Sequence, residues 1–244
     1  MSAATAQADQ TPRPPRAPVA GGTLYVVATP IGNLEDVTLR ALRVLAEVDT
    51  IVAEDTRRTR RLLTAHAVAP RGEVLSLPAF DEARRSPALV SRLVVGASLA
   101  LVTDGGTPGL SDPGTVLVRL AREAGCPVVP VPGASAVVAA LSAGGIGGGG
   151  GFCFLGFLPR TPGKLTRTLS AALEAGRTLA FYESPLRLAK TLALAASVLG
   201  DRQVVVAREL TKMHETFSSG TAAELAERFR TTPPRGECTV LVAA

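Results

Sequence analysis

The chain has 244 residues, 46% of them apolar, with a mean hydropathy of +0.27, so it can bury a sizeable core as one large domain or two smaller ones; no apolar run reaches the roughly 18 to 20 residues that cross a bilayer, which excludes a membrane span. Twenty-six Lys and Arg against 21 Asp and Glu give a net charge of +5 and a pI near 9.6, a balance that suits a polyanionic partner, whereas 4% aromatic residues and no Trp argue against an extended base-stacking surface. Three scattered cysteines, one necessarily unpaired, and two isolated histidines (His66 and His214) provide neither a disulfide framework nor a set of metal ligands, and they fit a reducing cytoplasm.

Residues 1–21, rich in Ala, Pro and polar side chains and without the apolar core of a secretory signal, read as a disordered tail. Beyond them, short and nearly continuous apolar runs alternate with amphipathic stretches, which is how parallel strands covered by helices on both faces read. Strands are expected in the first half at Leu24–Ala28, Ile51–Ala53, Val74–Leu77, Leu99–Thr103 and Val128–Val131. Four more are expected at Phe152–Phe157, Leu179–Tyr182, Val204–Ala207 and Thr239–Val242. Helix starts are marked by Ser86-Pro87, by Ser184-Pro185 and by the capping box Thr221-x-x-Glu224, and Gly200 marks a stop. The fold class is therefore α/β.

At Gly144–Gly151 nearly every side chain vanishes, and the domain junction is expected there, with an N-terminal α/β domain over 22–146 and a C-terminal α/β domain over 147–244. The tract contains Gly145-x-Gly147-x-x-Gly150, a formal dinucleotide fingerprint. It follows a helix and precedes a strand, the reverse of what the fingerprint needs, and reads as a linker.

Open α/β sheets bind ligands at the carboxyl ends of their strands, so the segments after the apolar runs carry the functional signal. Thr103 to Gly114 is a Gly- and Pro-rich loop of about twelve residues, long for a strand-to-helix connection, and its glycines would let backbone groups approach a ligand. The plain alternative is a decorated turn in which Asp112 or Thr115 caps the next helix. Pro132-Gly133-Ala134-Ser135-Ala136 opens an Ala-rich helix, where Ser135 could cap or face a ligand. Asp55-Thr56-Arg57-Arg58-Thr59-Arg60-Arg61 puts Arg57, Arg60 and Arg61 on one helix face, suited to phosphates or simply to solvent. Glu183 and Arg187, like Arg208, Glu209 and Lys212, also follow strands directly and could pair with one another.

In these segments the sequence resembles the tetrapyrrole methylase superfamily, and within it the branch of small-subunit ribosomal RNA methyltransferases that act on a cytidine 2′-oxygen of 16S rRNA. The resemblance runs from Gly22 to Val242 through VVATPIGNLEDVTLRALRVL, DTIVAEDTRRTRRLL, LVTDGGTPGLSDPG, VPGASAVVAALSAGG, GFLPR, FYESPLRL, VVVARELTKMHET and GECTVLV. Phe80-Asp81-Glu82 departs from the His- and Asn-containing segment usual in that branch.

The resemblance implies two α/β domains with S-adenosylmethionine in the cleft between them, a homodimer, and 16S rRNA or the small ribosomal subunit as partner. By motif position, the implied cofactor neighbours are Pro30, Gly106, Thr107, Pro108, Gly109, Leu110, Ser135, Ala136, Tyr182, Ala207 and Thr239. A general base for the 2′-hydroxyl is sought among Glu54, Asp55, Glu183 and Glu209, with Asp55 and Glu183 favoured by their place at strand ends. Arg57, Arg60, Arg61 and Arg187 are assigned to phosphate contacts. The same architecture also serves methylation of a tetrapyrrole or another small acceptor, and a non-catalytic RNA-binding module is a further alternative.

Overall fold

The computed structural model describes residues 17–147 and 150–244. Residues 1–16 of the expected tail lie outside them. The remainder of that tail differs from expectation: Val19 packs against the first core, and the Ala20 N–H donates to the Tyr25 hydroxyl at 2.8 Å.

The first half forms an all-parallel sheet in the order β3-β2-β4-β1-β5, made of β1 (Leu24–Val27), β2 (Thr50–Ala53), β3 (Glu73–Ser76), β4 (Leu99–Val102) and β5 (Val128–Val131). Alternation along β1 sends Tyr25 and Val27 to one face and Leu24 to the other. Helices α1 (Leu39–Glu47) and α2 (Thr56–Ala65) cover the first face through Ala41, Val44, Leu45 and Leu63. Helices α3 (Glu82–Val94) and α4 (Thr115–Glu123) cover the second through Leu89, Leu93, Leu117 and Ala121. Both faces are covered, so β2 and β4 are wholly buried and, Thr50 apart, apolar, as the runs predict.

The second half forms a mixed sheet, β6-β7-β10-β8-β9, from β6 (Phe152–Phe157), β7 (Thr178–Glu183), β8 (Val204–Arg208), β9 (Thr216–Gly220) and β10 (Cys238–Val242). Its outer face packs on α6 (Pro162–Leu173), α7 (Pro185–Leu199) and α8 (Ala222–Thr231). The capping box at Thr221 and Glu224 is formed, and Gly200 ends α7 at a positive φ of 57°. The inner face meets α5 (Ala136–Ala143), whose Val137 and Ala140, followed by Ile146, pack on Ala180, Val205, Ala207 and Leu241.

Three expectations need amending. The described residues hold ten strands, because β9, with the sequence TFSSG, is an edge strand with a single apolar residue and gives no apolar run. The last helix and Ile146 of the segment assigned to the first domain pack on the second sheet, because a helix of Ala, Val and Leu needs an apolar neighbour on more than one side. Helix α3 starts at Glu82, a turn before Ser86-Pro87, and the Ser86 hydroxyl bonds back to the Glu82 carbonyl at 2.7 Å.

The earlier start of α3 has a purpose in the fold. Glu82 is 8% exposed, and its Oε1 accepts the N–H groups of Gly114, Val116 and Leu117 at 2.9, 2.8 and 3.2 Å. A carboxylate from one helix thus caps the next, in place of the local cap expected at Asp112 or Thr115. Glu82→Ala leaves these donors unmatched and is expected to lower stability by about 2 kcal/mol in urea unfolding. An unchanged midpoint would remove the cap from this account.

Candidate active site

The carboxyl ends of β1, β2 and β4 open on one side of the first sheet, and the loops that leave them are tied together. Thr29 and Gly106 form an antiparallel bridge of two 2.9 Å hydrogen bonds, the Thr29 hydroxyl donates to the Thr103 carbonyl at 3.1 Å, and the Thr107 hydroxyl donates to the Ala134 carbonyl at 3.1 Å. Gly106 has φ +91°, a conformation that L side chains rarely adopt, which is why this bridge needs glycine. The second half closes over these loops. The Asn33 N–H donates to the Thr211 hydroxyl at 3.0 Å, and a Cβ on Gly32 would lie 2.4 Å from Cγ of Lys212 and 2.9 Å from the Leu210 carbonyl oxygen.

Between the halves lies a cleft of about 1270 Å³. Of the expected cofactor neighbours, Pro30, Gly106, Thr107, Leu110, Ser135, Ala136, Tyr182 and Thr239 line it. Pro108, Gly109 and Ala207 do not; Ala207 follows Tyr182 and Thr239 in one row across β7, β10 and β8 but is fully buried in the core under α5. In this wall Ser135 Oγ is buried without a hydrogen-bond partner among the described residues, which costs stability until a ligand meets it, whereas the Thr103 hydroxyl has the Asp112 carboxylate as its neighbour. Polar tips beside Leu110, Ala136 and Tyr182 suit a ligand that is part polar and part apolar, such as a nucleoside joined to an amino acid.

The four carboxylates considered as base separate clearly. Asp55 is absent from the wall: it caps α2 by accepting the Arg57 N–H at 2.8 Å and is clasped by the Arg57 side chain at 2.6 Å, and that hydrogen bonding holds its carboxyl at about 2. Burial pushes Glu209 up, but the Lys212 ammonium at 2.9 Å and the Glu237 N–H outweigh it and hold it below the usual range, away from the cleft wall. Glu183 reaches the wall, yet its oxygens already accept the Thr191 hydroxyl at 2.6 Å and the Ser184 N–H at 2.8 Å, with Arg187 at 3.3 Å. Glu54 lines the cleft and is pushed up by burial, with the charge of Asp104 adding to it against the Asp104 N–H that it accepts at 3.2 Å.

Asp112, read from the sequence as a possible cap, also stands in the wall. Burial, then the charge of Glu54, pushes its carboxyl up to about 6. Its signal in the sequence was its place in the long loop, where the capping alternative masked it.

Among the arginines, Arg60 and Arg61 line the cleft and pair with no carboxylate among the described residues. Arg57 and Arg187 are not in the wall, because each folds back on the acid beside it, Asp55 and Glu183. Arg58 stands there instead, 3.4 Å from Asp104. Opposite them is an aromatic group: Phe154 and Phe157 meet Tyr182 edge-on with centroids 4.9 and 5.6 Å away, and Phe157 is 59% exposed at the cleft.

Comparison with known proteins agrees with this geometry. The family described as Tetrapyrrole (Corrin/Porphyrin) Methylases matches residues 23–226. A Neisseria meningitidis serogroup B protein named ribosomal RNA small subunit methyltransferase I is 47% identical over 207 residues, 85% of this chain and 70% of the relative. Its namesake in Halalkalibacterium halodurans is 44% identical over 221 residues, 91% of this chain and 75% of the relative. Among solved structures, the cobalt precorrin-4 methyltransferase CbiF superposes with a TM-score of 0.69 at 20% identity, covering 91% of this chain and 95% of that one. Uroporphyrin-III C-methyltransferase of Thermus thermophilus, complexed with S-adenosylhomocysteine, does so with 0.65 at 18% identity, covering 91% and 97%. The two-sheet fold, the cleft between the sheets and these matches show that the chain belongs to the tetrapyrrole methylase family, alongside its small-subunit ribosomal RNA methyltransferases.

Proposed function

We propose that the protein transfers the methyl group of S-adenosylmethionine to a cytidine ribose 2′-oxygen of 16S rRNA. The observation that carries this reading is identity of 44–47% to ribosomal RNA small subunit methyltransferases over 85–91% of the chain. Methyl transfer to rRNA follows from that kinship, and the cleft adds physical support in two bare arginines and an exposed phenylalanine on its walls. The acceptor is rRNA or the assembled small subunit, and a homodimer working in the cytoplasm belongs to the same reading. No helix among the described residues is long and apolar enough to cross a membrane.

The residues present fit the cofactor. Gly106, Thr107, Leu110, Ser135, Ala136, Tyr182 and Thr239 would hold it, with the unpartnered Ser135 hydroxyl available for its polar groups. When bound, S-adenosylmethionine supplies a methyl group already activated by its sulfonium. What remains for the chain is to align the 2′-oxygen, exclude water and take up a proton. Arg60 and Arg61 would hold backbone phosphates on one wall, while the Phe157 ring offers a face on which the target base can stack.

Incubating the protein with methyl-labelled S-adenosylmethionine and small subunits, naked 16S rRNA or a porphyrinoid tests the reading. Label at one alkali-resistant position in RNA supports it, and label confined to the porphyrinoid overturns it. Ser135→Ala is expected to weaken cofactor binding roughly fivefold to tenfold by calorimetry without lowering the melting temperature, because the hydroxyl it removes bonds to nothing in the protein. Equal affinity would place the cofactor elsewhere. Arg60→Ala and Arg61→Ala should each weaken RNA binding and reduce the slope of log affinity on log salt by roughly 0.7 to 0.9; an unaltered slope would exclude phosphate contact.

A further inference from the structure

Two cleft carboxylates, Asp112 and Glu54, take part in no ion pair among the described residues, and of the two Glu54 already accepts the Asp104 N–H. Asp112 lies two residues before Gly114, and the Glu82 carboxylate grips the N–H groups of Gly114, Val116 and Leu117, so the arm of the loop that carries it is anchored. Among the described residues it takes part in no ion pair, whereas Asp55, Glu183, Glu209 and Glu237 each have a cation within 3.3 Å. The groups facing it are Glu54 from the end of β2, Asp104 from the end of β4, Glu237 ahead of β10 and the Tyr182 phenol from β7. The nearby cations are committed to other acids, Arg58 to Asp104 at 3.4 Å and Lys212 to Glu209 and Glu237 at 2.9 Å. The Thr103 hydroxyl on the same wall is the one neighbour that works against the upward push on Asp112, by hydrogen bonding to its carboxylate.

We propose that Asp112 is the general base of the methyl transfer, accepting the proton of the ribose 2′-hydroxyl, with Glu54 as its acidic neighbour in the cleft wall. This rests on the function proposed above. The acceptor O–H bond breaks and its proton passes to an Asp112 oxygen; the 2′-oxygen bonds the methyl carbon as the C–S bond breaks, and that electron pair stays on sulfur as a neutral thioether. Burial and the surrounding acids give Asp112 the basicity that Asp55, held at about 2 by Arg57, lacks, and at about 6 it is still ionised in a neutral cell. Glu183, with both oxygens already accepting hydrogen bonds, has less room for a proton.

Three measurements on the full chain test this. Wild-type kcat under saturating small subunits and S-adenosylmethionine should rise with pH through a midpoint near 6 and then level, since the base must be deprotonated. Asp112→Asn should lower kcat by about 10²- to 10⁴-fold while cofactor and RNA affinities stay within threefold, and Asp112→Glu should recover part of the rate. Glu54→Gln removes a negative neighbour and should move the midpoint to lower pH. Wild-type turnover that is flat from pH 5 to 8, or an Asp112→Asn protein that binds normally and turns over within fivefold of wild type, overturns the role of Asp112 alone. Wild-type protein that methylates no RNA overturns the functional reading and takes this proposal with it. If Asp112→Asn fails to fold, the wild-type profile and the Glu54→Gln shift still decide.

Discussion

Much of the molecule depends on α5, a helix of eight residues built from Ala, Val, Leu and one Ser. With almost no polar side, it gains most by being covered, and Val137 and Ala140 find that cover on the inner face of the second sheet. Its first residue, Ala136, and its N-terminal neighbour Ser135 stand in the cleft wall. One apolar stripe therefore does two things: it joins the halves of the chain, and it carries the start of a helix, with its free N–H groups and partial positive charge, to the edge of the ligand site. Among the glycines between α5 and β6, Gly145, Gly147 and Gly151 take positive φ values of 67°, 111° and 79°.

Electrostatic order in the cleft follows from which acids have a cation nearby. Asp55, Glu183 and Glu209 each precede an Arg or Lys by two to four residues, close enough for the side chains to meet once the helix or turn forms, and these acids become caps and braces. Glu54 also precedes Arg57 and Arg58 by three and four residues, yet these pair with Asp55 and Asp104 instead, and Asp112 has no ion pair among the described residues, so burial outweighs what opposes it on both carboxyls.

The alternation of strands and helices was legible because strands covered on both faces, in the parallel and in the mixed sheet alike, demand apolar runs, and β1, β2, β4, β7, β8 and β10 supply them. Strand β9 was not, since an edge strand exposed to solvent can be written in Thr and Ser. The cleft loops around Thr107 and Ser135 could be singled out from glycine content, place after strands and family resemblance. Asp112 and Arg58 could not be chosen from their neighbours, because their surroundings are assembled by Glu82, Glu54 and Asp104 from separate segments. The same holds for Pro108 and Gly109, which shape the loop that contributes Thr107 without reaching the cleft.

Gly32 shows how far the two halves are from being interchangeable modules. Its neighbourhood is made by Leu210, Thr211 and Lys212, nearly 180 residues later in the chain, and the adjacent Asn33 binds Thr211 across the same seam. A chimera cut at the glycine tract, joining this first half to a relative's second half, would preserve both sheets and still match one lineage's glycine to another lineage's loop. The heritable unit is the seam together with its two sides, so substitutions at 32 and at 210–212 are bound to drift as a set, and a recombination point that respects function belongs outside the pair of segments that meet there.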